Sequence, residues 1–152
     1  MTTMTTELTE VLNDLIKINN DRITGYEKAA DESKAVDVDL TAIFSRMADE
    51  SRKYVAELTT RVNELGGETE SGNTTMGKLY QAWMGVKATF TGKDRKAILS
   101  SCEYGEDAAQ KAYRDALATD ADLDTETRQL ITTQQAALKT SHDLIKKYRD
   151  VN

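Results

Sequence analysis

The chain has 152 residues, no proline, eight glycines and a formal net charge of −6, and this length is enough for one domain with a buried core. The lack of proline and the scarcity of glycine exclude turn-rich sandwich and barrel folds and favour long helices. An acidic chain lacks the basic face that nucleic acids and anionic membrane surfaces require, so both are excluded as partners.

Apolar and small residues recur every three or four positions in the first part of the chain and predict two long helices. The first is expected over about residues 6–35 and the second over 39–65. Gly66 and Gly67 follow the second helix, as glycine commonly does at a helix C-terminus. The short turn between the two helices predicts an antiparallel hairpin.

A polar loop then leads into a shorter amphipathic segment, which predicts a helix over 75–91. Two further long helices are predicted over 94–118 and 124–150, the last with acidic residues in its first turn. A weak internal repeat supports two related hairpins, because a shift of 87 residues aligns Tyr26 with Tyr113.

The order of hairpin, long crossover and hairpin predicts one all-α domain over residues 1–152. The expected architecture is a ferritin-like antiparallel four-helix bundle whose long crossover contains a short extra helix. No apolar run approaches the ~20 residues of a membrane span, and the N-terminus shows no secretory signal. With Cys102 as the single cysteine, we expect a reduced, cytoplasmic protein.

A ferritin-like bundle can carry a di-metal site at mid-height. The site takes one Glu from each of two helices and a Glu-x-x-His pair from each of the other two. Six inward positions of this chain fall at that level and hold Asn19, Ser51, Tyr54, Glu106, Leu138 and Ser141. Only Glu106 among them is a competent metal ligand. The sequence therefore predicts no catalytic, cofactor-binding or metal-binding residue.

Two interpretations of the bundle centre follow from these residues. In the favoured one, the centre is a metal-free polar layer whose members hydrogen-bond to one another. Its predicted members are Asn19, Ser51, Tyr54, Gln134 and His142. In the alternative, Glu27, Glu106 and His142 form a degenerate di-iron or manganese site.

Several short segments carry a resemblance that covers nearly the whole chain. They are residues 12–16 (LNDLI), 25–30 (GYEKAA), 82–83 (AW), 91–94 (TGKD), 102–109 (CEYGEDAA) and 142–143 (HD). These segments look like an uncharacterised bacterial family of ferritin-like four-helix-bundle proteins. The resemblance implies a bacterial, cytoplasmic and stress-related protein. The chain is similar to the rubrerythrin and ferritin groups in bundle plan, but it departs from their ligand pattern at five of the six positions.

The crossover segment is rich in aromatic and methionine side chains: Met76, Tyr80, Trp83 and Met84. This composition suits a lid on the bundle or an oligomer face, and we expect a homodimer. The favoured function is a non-enzymatic structural or interaction protein with an unidentified protein partner. The alternatives are a degenerate di-metal oxidoreductase and a small-molecule carrier with an apolar pocket between the hairpins.

Overall fold

Four long α-helices make up the part of the chain that the structure describes. The computed structural model describes residues 3–34, 37–69, 95–119 and 123–150. The helices are α1 (Thr3–Ser33), α2 (Val38–Glu64), α3 (Arg95–Leu117) and α4 (Thr125–Asp150). The predicted all-α class is confirmed, whereas the predicted short helix over 75–91 lies outside the described residues.

A carboxylate and two glycines define the ends of α2. Asp37 caps the N-terminus by accepting hydrogen bonds at 3.0 and 3.3 Å from two backbone N–H groups of the first turn. At the C-terminus Gly66 adopts a φ of 79°, and the N–H groups of Gly66 and Gly67 bond to carbonyls of the last turn at 3.0 Å. This is a Schellman arrangement, which glycine closes without strain because it tolerates positive φ.

Cross-helix hydrogen bonds show that neighbouring helices run antiparallel. Arg22 of α1 bonds to Glu106 of α3, whereas Asn19, earlier in α1, bonds to Tyr113, later in α3. The hydrogen bonds between α1 and α2 and between α2 and α4 show the same antiparallel order of residues. Because α2 and α3 are both antiparallel to α1, the end of α2 and the start of α3 lie at opposite ends of the bundle. That is the connectivity of two hairpins joined by a long crossover.

Two apolar clusters fill the bundle, one on each side of a central polar layer. The first contains Tyr26 and Phe44, whose ring centroids lie 5.8 Å apart. The second contains Leu58 and Tyr113. Along α1, α2 and α3, the polar layer lies between the positions that supply the two clusters, whereas in α4 its member Gln134 stands among positions of the second cluster. The members of the layer are at most 1% exposed: Asn19, Arg22, Ser51, Glu106 and Gln134. Buried polar groups of this kind must find partners, since each unsatisfied one costs about 1–3 kcal/mol.

The outer faces of the helices carry charged residues. Ion pairs one turn apart join Lys111 to Asp115 and Lys139 to Asp143 at 2.9 and 3.1 Å. Each pair contributes only about 0.3–0.5 kcal/mol, so the helices depend on their buried faces for stability. None of the described helices is both long and apolar enough to cross a membrane.

Candidate functional site

A fully buried arginine, Arg22 of α1, lies at the centre of the polar layer. Its Nε and Nη2 donate to the two carboxylate oxygens of Glu106 at 2.5 and 3.2 Å, in a bidentate pair. Its Nη1 donates to the Met47 carbonyl at 3.1 Å and to Ser51 Oγ at 2.7 Å. Nη2 also faces the Met47 sulfur at 3.5 Å and the Glu50 carboxylate at 3.6 Å. Each of the five guanidinium N–H donors thus has an acceptor, as a buried cation requires.

The surroundings keep the Arg22 guanidinium charged. Burial lowers the pKa of this group and is the largest single influence on it, but the charge and hydrogen bonds of Glu106, together with the nearby Tyr26 and Glu50, outweigh burial and raise the pKa above its ordinary value. The guanidinium also makes a cation–π contact with the Tyr26 ring, whose centroid lies 5.0 Å from the guanidinium carbon. The bundle centre therefore holds a permanent positive charge that is paired with a carboxylate.

A one-directional chain of hydrogen bonds runs from Arg22 across all four helices. Ser51 Oγ accepts from Arg22 and donates to Asn19 Oδ1 at 2.9 Å. Asn19 Nδ2 donates to Tyr113 Oη at 2.8 Å, and Tyr113 Oη donates to Gln134 Oε1 at 2.6 Å. Because the chain begins at a group that can only donate, each amide and hydroxyl in it has one orientation. Such a layer fixes the register of the helices that it joins.

The chain of hydrogen bonds ends at α2. Gln134 Nε2 donates to the Tyr54 backbone carbonyl at 3.4 Å and to Glu57 Oε1 at 3.1 Å. Burial raises the pKa of the Tyr54 phenol to about 12 and also raises the pKa of the Tyr113 phenol. Both phenols therefore keep their protons at physiological pH, and the Tyr113 hydroxyl stays available as a donor.

Replacing Tyr113 with phenylalanine is expected to lower the free energy of unfolding by about 1–3 kcal/mol. The substitution leaves the Gln134 carbonyl oxygen without the bond that it now accepts at 2.6 Å. Urea unfolding followed by circular dichroism measures the loss. Tyr104→Phe is the matched control, because Tyr104 lies on the same helix with an exposed side chain, and its effect should stay within about 0.5 kcal/mol. Equal effects of the two substitutions would refute the role assigned to the Tyr113 hydroxyl.

The bundle that surrounds this layer has the plan of a known solved protein. A chain described as a mutant of Dps1 from Mycobacterium smegmatis superposes on 98% of this chain and 99% of its own length, with a TM-score of 0.83 and 12% sequence identity. At that identity the likeness shows the fold alone. The predicted ferritin-like four-helix bundle is confirmed.

A family model places the chain among its relatives in sequence. The model for the domain of unknown function DUF2383 matches residues 7–119. The chain belongs to this family. No curated protein matches it. The predicted membership of an uncharacterised ferritin-like family is confirmed, and Arg22 and Glu106 lie within the matched residues of the DUF2383 domain.

The structure brings together most of the residues predicted for the polar layer. Asn19, Ser51 and Gln134 meet there, and Tyr54 joins through its backbone carbonyl. His142 does not join the layer, and its predicted place is corrected. Position 142 follows the inward-facing Ser141, and one residue turns a helix by about 100°. The His142 ring therefore lies at the α3–α4 surface with 20% of its side chain exposed.

The three residues of the alternative metal site are not brought together. Glu27 pairs with Arg52 at 2.5 Å on the surface between α1 and α2. Glu106 pairs with Arg22 inside the bundle, and His142 bonds to two surface aspartates. Within residues 3–34, 37–69, 95–119 and 123–150, no group of three or more His, Cys, Asp or Glu side chains is placed to hold a metal ion.

The residues at mid-height do not fit a di-metal centre. The six positions chosen from the sequence are all buried, with at most 6% exposure, so the helical periodicity assigned their direction correctly. Glu106 is the single carboxylate among them, and both of its oxygens already accept hydrogen bonds from Arg22. A second cation at this level would be repelled by the guanidinium, and the imidazole ligands of such centres are missing from these positions.

Arg22 is the central residue that the sequence-based interpretation missed. The sequence feature that indicates its burial is its position, three residues after Asn19 and four before Tyr26. This spacing places Arg22 on the inward face of α1. Arginine is rarely buried without a partner, so an inward-facing Arg22 requires an acidic residue on the inward face of another helix. The partner, Glu106, had itself been placed among the inward positions. An arginine and a glutamate on the inward faces of two predicted helices thus indicate a buried ion pair.

His142 joins α3 to α4 at the surface of the bundle. Its Nε2 lies 2.6 Å from Asp107 Oδ1, and its Nδ1 lies 3.2 Å from Asp143 Oδ1. Partial burial lowers the pKa of the ring, but the hydrogen bonds to Asp143 and Asp107 outweigh it and raise the pKa above the ordinary value of 6.5. The imidazolium form therefore stabilises the fold fully below about pH 6.5. This contribution is lost as the pH rises through the folded-state pKa.

Replacing Asp107 with asparagine is expected to lower the pKa of His142. The substitution removes the charge that faces Nε2 and keeps a polar group of similar size. Since His142 is the single histidine, its ring protons can be followed through an NMR titration without assignment of overlapping signals. Asp115→Asn is the matched control, because Asp115 is exposed on the same helix and pairs with Lys111. A His142 pKa that both variants leave unchanged would contradict the assigned contact.

Cys102 packs in the first apolar cluster and is fully buried. Burial, followed by the nearby charge of Glu106, raises the pKa of its thiol well above the ordinary value. The thiol therefore stays protonated, and a protonated thiol is a poor nucleophile and a poor metal ligand. Cys102 acts as a small apolar side chain in this core.

Proposed function

We propose that this chain is a metal-independent ferritin-like bundle that acts as a structural or interaction protein and not as an oxidoreductase. The observation that carries the proposal is Arg22. Its guanidinium supplies the positive charge at mid-height of the bundle and occupies both carboxylate oxygens of Glu106. A charge that belongs to the chain itself makes the stability of this layer independent of any bound ion.

The chemistry of the layer also favours a structural role. Its phenols are neutral at physiological pH, and its amides and hydroxyls are held in single orientations by their neighbours. Asn19, in the middle of the chain of hydrogen bonds, carries an amide, which does not relay protons as a hydroxyl or an imidazole does. A fully satisfied polar layer of this kind specifies helix register and a unique core.

The proposal predicts that the purified full-length protein carries iron and manganese at far less than one ion per chain. It also predicts that neither a chelator nor added Fe²⁺ or Mn²⁺ changes the Tm. A ligand present at 100 times its dissociation constant stabilises a protein by about 2.7 kcal/mol. For a chain of this size that is about 5–10 °C in Tm, which differential scanning fluorimetry resolves easily. Elemental analysis by mass spectrometry gives the metal content.

Two results would contradict the proposal. One is stoichiometric iron or manganese that survives purification. The other is a saturable rise in Tm on addition of either metal to the wild-type chain. Glu27→Gln serves as a control, because Glu27 belonged to the alternative ligand set and pairs with Arg52 on the surface. It should leave the metal content and the response to chelator unchanged.

The compartment and the partner are part of the same proposal. A single, buried and protonated cysteine suits a reducing compartment, and we place the protein in the cytoplasm. The homodimer expected from the sequence stays a prediction. Sedimentation over a range of protein concentrations tests it, and a monomer at every concentration would contradict it.

A further inference from the structure

The Arg22 guanidinium lies between two carboxylates that come from different helices. Glu106 of α3 binds it in the interior, and Glu50 of α2 approaches its Nη2 to 3.6 Å. Ser141 of α4 donates to Glu50 Oε1 at 3.0 Å and helps to hold it there. The Glu106 side chain is 1% exposed, whereas 36% of the Glu50 side chain is exposed. The guanidinium is therefore enclosed on one side and connected to solvent through Glu50 on the other.

The acceptor atoms around the guanidinium are mainly oxygens. They include the carboxylates of Glu106 and Glu50, the Ser51 hydroxyl and the Met47 carbonyl. Carboxylate, hydroxyl and carbonyl oxygens are the ligands that Mn²⁺, Mg²⁺ and Ca²⁺ prefer. The helices α2 and α4, which flank Glu50, contact each other less than the other neighbouring pairs do. Since the Glu50 side chain is 36% exposed, its carboxylate can meet an ion from solvent.

We propose that Arg22 excludes divalent cations from an oxygen-lined site at the bundle centre, and that shortening its side chain opens this site to a divalent cation bound by Glu106 and Glu50. The inference rests on the proposed function, because it takes the native centre to be satisfied by the guanidinium. Without Arg22, the two carboxylates face a space that contains no counter-charge. A carboxylate as buried as that of Glu106 is costly to keep charged in that situation unless a cation joins it.

The experiment compares full-length Arg22→Ala with the wild-type chain, each freed of metal and titrated with MnCl₂. Alanine removes the charge and leaves a space beside Glu106 and Glu50. The expected result is a saturable rise in the Tm of Arg22→Ala and loss of the sharp solution spectrum of Mn²⁺ in electron paramagnetic resonance. The wild-type chain should show neither change. Arg22→Met is the volume-matched control, and its apolar side chain should fill the space and abolish both responses.

The double variant Arg22→Ala, Glu106→Ala tests whether Mn²⁺ binding requires the buried carboxylate. It keeps the space and removes the buried ligand, so it should lose the response to Mn²⁺. If Arg22→Ala is unfolded without metal, the expected result is recovery of its helical circular dichroism on addition of Mn²⁺. Arg22→His supplies a second test, because it fills more of the space with a neutral ligand.

The inference fails if Arg22→Ala, whether it is folded or unfolded without metal, shows no response to Mn²⁺. A metal-free wild type together with an Arg22→Ala variant that does not respond to Mn²⁺ would overturn this inference alone. Stoichiometric Mn²⁺ on the wild type would overturn the proposed function as well.

Discussion

Replacing Glu106 with leucine is expected to lower the free energy of unfolding by about 3–5 kcal/mol. The substitution removes the buried counter-ion of Arg22 and leaves only the partly exposed Glu50 at 3.6 Å. Two of the five guanidinium donors also lose the carboxylate oxygens that accept from them. An arginine cannot escape this by losing its proton, because its pKa is too high. The cost should appear as a lower midpoint of urea unfolding with an unchanged slope.

A double variant separates the charge imbalance from the loss of packing. Replacing both Arg22 and Glu106 by apolar residues, as in Arg22→Met with Glu106→Leu, removes the charge and its partner together. Substitutions of this kind are often neutral or stabilising, so the double variant should be more stable than Glu106→Leu alone. The exposed pair of Lys111 and Asp115 gives the matched control, and Asp115→Asn should cost about 1 kcal/mol or less. If Glu106→Leu were as harmless as Asp115→Asn, the central role of the ion pair would be refuted.

Helical periodicity was sufficient to predict the fold because it depends only on which residues face inward. The six positions assigned to the bundle centre are all buried, and the chain has the predicted ferritin-like plan. The chemistry of the centre was harder to predict because it depends on which side chains meet across helices. Arg22 stands at an inward position by spacing, but only its contact with Glu106 makes its burial favourable. That contact joins residues 84 positions apart.

His142 shows the second limit of the sequence-based prediction. A helical position near the edge of the inward face can turn toward the core or toward a neighbour, and the partners decide which. Asp107 on α3 and Asp143 on α4 hold the ring at the surface, where an imidazolium is tolerated. Inside the layer, the same ring would have faced the permanent charge of Arg22, and like charges disfavour the protonated form.

The internal repeat accounts for the packing of the bundle but not for its polar centre. Tyr26 and Tyr113, which the shift of 87 residues aligns, are both fully buried and lie in the two clusters on opposite sides of the layer. The same shift aligns Asn19 with Glu106 and Arg22 with Ala109. One half therefore supplies the guanidinium, and the other supplies its carboxylate together with a small residue. The two hairpins are therefore alike at this buried tyrosine pair and complementary at the buried ion pair.

The separation into two apolar clusters leads to the second prediction, on Phe44. Replacing Phe44 with alanine is expected to cost about 3–5 kcal/mol, because the side chain is fully buried against Tyr26 and its removal leaves a cavity. Val38→Ala is the matched control, since Val38 lies on the same helix and is 75% exposed. It should change the free energy of unfolding by about 0.5 kcal/mol or less.

Combining Phe44→Ala with Ile131→Val tests whether the polar layer separates the clusters energetically. Ile131 is buried in the second cluster, and its own truncation should cost about 0.5–1.5 kcal/mol. Sites without shared partners add to within about 0.5 kcal/mol, so the double variant should lose the sum of the two single losses. If the loss in the double variant differed from that sum by more than about 0.5 kcal/mol, strain would be passing through the layer of Arg22 and Glu106 from one cluster to the other. Additivity would mean that this hydrogen-bonded layer holds its geometry while the core on one side of it relaxes.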